Sequence, residues 1–144
     1  MMPIWSLVLI YMILIDPRLM GYFLISNYCF DNNIKYILTA HHLDDAVEWW
    51  IFSSLNGVSK LIPAANRNII RPFLWTQKFE LMEWAERKNV PFVEDGSNRN
   101  LRFCRNRIRH NILPEALKIN PGLYKVVKKK LQENSEFGGD RPVC

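Results

Sequence analysis

The stretch Ile34–Ala40 (IKYILTA) runs directly into HHLDDAVEWWIFSSLNG, and this junction constrains the fold more than any other part of the chain. The first segment is β-rich and mostly apolar, the pattern of a strand covered on both faces. In the second, Val47, Ile51 and Leu55 recur at helical spacing, Asp44 is the candidate N-cap, and Gly57 closes the helix. A strand followed at once by a helix is the βα unit of a parallel sheet. The expected fold class is therefore α/β, with a partial parallel sheet followed by a mainly helical segment.

Four parts follow from the pattern. Residues 1–15 (MMPIWSLVLIYMILI) are apolar and end at Asp16-Pro17. No Lys or Arg precedes this run and no small-residue cleavage site follows it, so a buried strand or a segment foreign to the domain is favoured over a signal peptide. Residues 16–66 form the α/β part. There Met20–Phe30 is an expected helix and Asp31-Asn32-Asn33 a turn. Residues 67–134 are mainly helical. Ile69–Phe73 is short and extended, Thr76 is the expected cap of a helix Gln77–Asn89, and the chain from Arg99 is helical up to Pro114. Tyr124–Glu133 is a final helix, and residues 135–144 form a frayed tail.

The charge is unevenly spread. The chain has 144 residues and a net charge of +5. Residues 1–66 hold three basic and five acidic groups, and residues 67–144 hold sixteen and nine. The second part therefore looks like a polyanion-binding half, with a solvated basic face as the alternative. Cys29, Cys104 and Cys144 make no CxxC pair, which argues against a zinc ribbon or a disulfide framework and fits a reducing compartment. No 18-residue apolar run is present.

Two constellations can carry chemistry. His41, His42, Asp44, Asp45 and Glu48 gather at the carboxyl end of the expected strand, where open α/β sheets bind ligands. Asp44, Asp45 and Glu48 could hold Mg²⁺ or orient a phosphate-bearing substrate. The alternative is one Asp capping the helix and one His in the core. The second constellation is Arg99, Arg102, Arg105, Arg107, Arg109 and His110, with no acid among them. On a helix Arg102, Arg105 and Arg109 share one face, a row of guanidinium forks suited to phosphate oxygens. The six glycines make neither GxGxxG nor GxxxxGK[ST], so a glycine-rich phosphate cradle is missing. Trp49-Trp50, Trp75, Phe79, Trp84 and Phe92 read as core rather than as platforms for bases.

TAHHLDDAVE at Thr39–Glu48, IIRPF at Ile69–Phe73 with Lys78 and the Glu80–Ala85 helix, and EDGSNRNLRFCRNRIRHNILP at Glu94–Pro114 stand in one order. Together they resemble the tRNA(Ile)-lysidine synthase family of the PP-loop ATPase superfamily, over roughly Arg18 to Pro121. The resemblance implies a Rossmann-like sheet of PP-loop type and an ATP-dependent ligase. Such a ligase joins free L-lysine to C2 of the wobble cytidine in CAU-anticodon tRNA(Ile), shifting decoding from AUG to AUA, with ATP and Mg²⁺. It implies His41, Asp45 and Arg18 as catalytic residues and Arg102, Arg105 and Arg109 as tRNA-binding. The family's SGGxDS loop for ATP has no counterpart here, and Gly21 stands where the second arginine of its AR-x-x-RY element is expected. The chain thus resembles the carboxyl part of a catalytic domain, whose partner would be a complementing amino-terminal PP-loop half or a second copy in a homodimer. Two other functions fit the residues: a non-catalytic tRNA-binding remnant, and a metal-dependent phosphohydrolase built on HHLDD. A tRNA thiolase is disfavoured by the lack of paired cysteines. The expected compartment is a bacterial cytoplasm or an organelle with its own translation.

Overall fold

The computed structural model describes residues 24–25, 27–93 and 96–137. Arg18, the 1–15 segment and residues 138–144 lie outside them. The described residues fall into two units that part between Ile37 and Leu38. In the first unit residues 27–31 are helical and end in the expected turn. Asn32 donates to the Tyr28 carbonyl from both its backbone (3.1 Å) and its side chain (2.8 Å), and Asn33 takes φ 53°.

The second unit starts at the βα junction. Strand β1 (Ile37–Leu38) is followed after four residues by helix α1 (Leu43–Leu55). The strand is shorter than Ile34–Ala40, and the α/β class stands. The N-cap is His42, not Asp44: Asp45 reaches back so that the His42 N–H donates to Oδ2 at 3.0 Å. Asp44 is free for other partners, and both carboxylates sit in the first turn, where the helix dipole favours negative charge. At the other end Gly57 takes φ 78° and closes the helix as expected.

Strands β2 (Ala65–Asn66) and β3 (Ile69–Ile70) form an antiparallel hairpin that the sequence reading did not anticipate. The sheet order is β1-β3-β2, and the Thr39 N–H donates to the Ile70 carbonyl at 3.0 Å. Helix α2 (Lys78–Arg87) is capped by Gln77 rather than Thr76, because Glu80 accepts the Gln77 N–H at 2.7 Å. The Thr76 carbonyl instead accepts the Leu43 N–H at 2.9 Å, which ties the starts of α1 and α2 together.

The long helix expected from Arg99 is broken. A 3₁₀ turn (Gly96–Arg99) leads into α3 (Cys104–Arg107), a π segment (Ile108–Ile112) and α4 (Leu113–Ile119). Pro114 does not end the helix. The wider π turn directly before it absorbs the missing N–H and the ring's clash with the preceding turn. Helix α5 (Leu123–Phe137) runs three residues into the expected tail.

The core joins α1, the π segment, α4 and α5 through Leu43, Ala46, Val47, Ile51, Leu74, Ile108, Leu113, Leu123, Val127 and Leu131. Of the aromatic residues read as core, Trp50 and Trp75 pack against it, while Trp49, Phe79, Trp84 and Phe92 are exposed, and Leu55 with them. Helix α1 is apolar on more faces than the core covers, and α2 buries no residue fully. Among the described residues no helix is long and apolar enough to cross a membrane.

Candidate functional site

Three stretches distant in sequence line one cleft of about 450 Å³, within the usual range for small-molecule sites. From the βα junction come Thr39, Ala40, His41, His42 and Asp45, and from the start of α2 comes Lys78. Asn98, Arg105, Asn106 and Arg109 come from the helical segment.

The cleft is organised around Glu48, which is buried to 1% exposure on α1. A carboxylate taken that far from water needs charged or hydrogen-bonding partners. It has two guanidiniums: Arg105 Nε donates to Oε2 at 2.8 Å, and Arg109 donates from Nε to Oε1 at 2.5 Å and from an outer nitrogen to Oε2 at 3.1 Å. Arg105 also donates to Asp45 Oδ1, and Arg109 lies 3.7 Å from the same oxygen. Burial would lower the Arg105 pKa, but Glu48 and Asp45 outweigh it and raise it. The expected outward row of arginines is therefore not formed. Arg105 and Arg109 turn onto acids about 60 positions away that no local pattern could reveal, and Arg102 lies in the turn before α3, outside the helix.

His41 lies beside this cluster, its Nδ1 paired with the Thr39 hydroxyl at 2.9 Å. Burial lowers its pKa first. Asp45 opposes that, while Arg71 and Arg105 add to it, so the ring is held neutral over more of the pH range than a free histidine. Arg71 is itself buried and donates to the Pro63 carbonyl at 2.9 Å.

Asp44, Asp45 and Glu48 do not come together as a metal set. Asp45 and Glu48 face the arginines, while Asp44 accepts the Lys78 N–H (2.7 Å) and the Tyr124 hydroxyl (2.9 Å). Among the described residues no group of three or more His, Cys, Asp or Glu side chains could hold a metal ion. These carboxylates thus do not fit a Mg²⁺ held by the protein alone. Partial burial would raise the Asp44 pKa, but hydrogen bonds from His42, the Lys78 N–H and Tyr124 prevail and hold it at about 2. Burial and the Asp44 carboxylate in turn push the Tyr124 phenol well above its ordinary value.

Sequence reasoning missed Thr39, Arg71, Lys78, Asn98, Asn106 and Tyr124 as builders of this region. All but Arg71 and Tyr124 lie in the three stretches that line the cleft, so that convergence was the signal to use. Asn106 is buried and donates from Nδ2 to the Asn100 carbonyl at 3.0 Å, and His110 pairs with the Asn98 carbonyl at 2.9 Å.

The sequence matches the PP-loop domain family over residues 13–116. The chain belongs to that family. It is 35% identical to the tRNA(Ile)-lysidine synthase of Lactiplantibacillus plantarum, over 72% of this chain and 25% of that protein. It is 34% identical to that of Borreliella burgdorferi, over 83% of this chain and 28% of that protein. With the synthase of Streptococcus pyogenes the figures are 37%, 72% and 25%. The PP-loop chain spans about a quarter of the length of these relatives.

Proposed function

We propose that this PP-loop chain supplies part of the catalytic domain of a tRNA(Ile)-lysidine synthase, a ligase that modifies tRNA at the expense of ATP. The observation that carries the reading is the convergence of the TAHHLDDAVE, Lys78 and RNRIRH stretches on one cleft. Only a folded chain brings these three together, and each belongs to the resemblance on its own.

In the reaction, O2 of the wobble cytidine of CAU-anticodon tRNA(Ile) attacks the α-phosphorus of ATP. Pyrophosphate leaves and the base carries AMP. The amine of free L-lysine then attacks C2, the C2–O bond breaks, and AMP departs. The attacking amine must be neutral and must shed one proton as the new C–N bond forms. In this reading His41, whose pKa burial lowers, takes that proton, with Asp45 facing it electrostatically. On the same reading Arg105 and Arg109 each turn the outer nitrogen not bound to Asp45 or Glu48 toward phosphate or the tRNA, and Arg102 is assigned to the tRNA by resemblance. Arg18 is assigned to catalysis by resemblance alone. The Mg²⁺ that accompanies ATP would ride on the nucleotide phosphates. We assign lysine, ATP and the tRNA as substrates, a complementing amino-terminal half or a second copy as the partner chain, and the bacterial cytoplasm as the compartment.

The test is incorporation of labelled lysine into a CAU-anticodon tRNA(Ile) transcript with Mg-ATP, by the chain alone and with a separately expressed amino-terminal PP-loop half. Incorporation in either reaction is the expected result. Its absence in both, with the two halves shown to associate, would overturn the proposal.

A further inference from the structure

Helix α5 carries a face that the cleft chemistry does not use. We infer that the solvent face of α5, Lys125, Lys128 and Lys129, is a docking surface for the sugar–phosphate backbone of RNA. On the function proposed above, that RNA is the body of the tRNA whose wobble base enters the cleft.

Leu123, Val127 and Leu131 recur at i, i+4 and i+8 and are buried in the core against α1 and the π segment. Tyr124 donates to Asp44 Oδ1, one residue from the cleft-lining Asp45, so the start of α5 is pinned at the cleft's edge. From there fifteen residues extend about 22 Å at the helical rise. Lys125, Lys128 and Lys129, at i, i+3 and i+4, occupy the turns opposite the buried stripe, and all three are exposed.

Their charge is little compensated. Among the described residues the only carboxylate oxygen within 4 Å of these three ammonium groups is Glu133 Oε1, 3.9 Å from Lys129 Nζ. The cleft arginines, by contrast, are largely neutralised by Asp45 and Glu48. A polyanion approaching the cleft therefore meets its uncompensated positive charge on α5. Lysine ammoniums on flexible stems suit this task, because they follow phosphates without reading bases. An anionic membrane is a poorer match. A helix that lies in a lipid interface inserts large apolar residues beside its lysines. Here Val126 is the one exposed large apolar residue among the described side chains of α5.

The experiment measures binding of the CAU-anticodon tRNA(Ile) transcript, and of one non-cognate tRNA, across a salt series. The proteins are the wild-type chain, K125Q/K128Q/K129Q and the control K118Q, whose lysine already pairs with Glu115 at 2.8 Å. The triple variant is expected to bind both RNAs more weakly, with a log–log salt slope shallower by about two to three units, close to one per lost phosphate contact. K118Q keeps the wild-type slope. Should the triple variant fold poorly by circular dichroism, K125Q and K128Q singly are each expected to flatten the slope by about one unit. An unchanged slope overturns the inference, as does loss of binding to phosphatidylserine vesicles with RNA binding intact. The two proposals fail separately. Normal lysine transfer with unaltered RNA affinity and slope removes the α5 surface alone. A flattened slope, with no lysine transfer either by the chain alone or with its associated amino-terminal half, removes the synthase reading alone.

Discussion

Asp44 and Asp45 are adjacent on α1, yet they build two different junctions. Asp44 accepts one backbone N–H and one neutral hydroxyl, with the His42 ring 3.4 Å away, and so joins the starts of α1, α2 and α5. Asp45, with Glu48 one turn on, meets two guanidiniums at the wall of the cleft. The first junction behaves like part of the fold, since Tyr124 comes from a helix seated in the core and the Lys78 donor is a backbone N–H. The second concentrates four charges in a place open to a ligand, an arrangement found where charge is about to be exchanged with a substrate. Polar residues side by side in sequence can thus divide between holding the structure and serving the reaction.

The largest effect should come from Glu48→Gln. Glu48 is buried, and its loss of charge leaves Asp45 as the one carboxylate still facing Arg105 and Arg109 among the described residues. Breaking a fully buried pair costs about 3–5 kcal/mol; with Arg105 half exposed and Asp45 still in place the loss here is about 2 kcal/mol, measurable as a shift of the urea unfolding midpoint. A cost below about 1 kcal/mol, the usual worth of a surface ion pair, would mean that the cleft junction is no stronger than a solvent-exposed contact. Asp45→Asn comes next, and it acts on chemistry. An Asn at this position can still accept the His42 N–H, so the helix start survives, while the negative charge facing His41 and Arg105 is gone. Lysine transfer should fall about 100-fold or more, in line with the weakening of His41 as the general base, with tRNA affinity within about two-fold of wild type. A large loss of affinity would move Asp45 from chemistry to binding.

The βα junction was legible because a strand covered on both faces and a polar-headed helix have distinct periods. The cap was not. Asp44 has the better side chain for capping, but two partners 34 and 80 positions away claim its carboxylate, and Asp45 closes the cap instead. The same limit hid the link between Glu48 and the arginines. Arg99–His110 looked acid-free because the acids lie on another helix, 57 and 61 positions away. Periodicity also placed Trp84 and Phe79 in a core, yet it reports only that a helix has an apolar side and not whether anything covers it. By contrast, His41, Asp45, Arg105 and Arg109 could be singled out from residue type and local grouping alone, and they converge on one cleft.

The Asp44 junction can be probed through pH. Its carboxyl is held at about 2 in the folded chain, below its ordinary value of 3.8. A depressed folded-state pKa adds stability that is present above the ordinary value and is lost as pH falls through about 2. Because Asp44 is partly open to solvent, that contribution is about 1–2 kcal/mol after allowance for screening. Asp44→Asn should therefore be less stable than wild type by this amount at pH 7, and the gap should close between pH 4 and pH 2 in paired denaturation curves. A gap that stays constant with pH would show that the carboxylate's charge is not what the junction uses.

Tyr124→Phe should have the smallest effect, and it separates the two junctions most sharply. The change removes one hydroxyl donor, leaves Leu123, Val127 and Leu131 in the core, and keeps the Lys78 N–H on the Asp44 carboxylate. A single hydrogen bond of this kind at a partly solvated acceptor is worth about 1 kcal/mol. With one donor fewer, the Asp44 pKa should climb from about 2 back toward 3.8, so the acid limb of the stability curve moves up in pH. Combined with Asp44→Asn, the loss should be clearly less than the sum of the two single losses, because Asp44→Asn already weakens, from charged to neutral acceptor, the bond that Tyr124→Phe removes. Strict additivity would mean that α5 is seated by its apolar stripe alone. The Asp44–Tyr124 contact would then be a consequence of the packing rather than a tie that holds the cleft's edge.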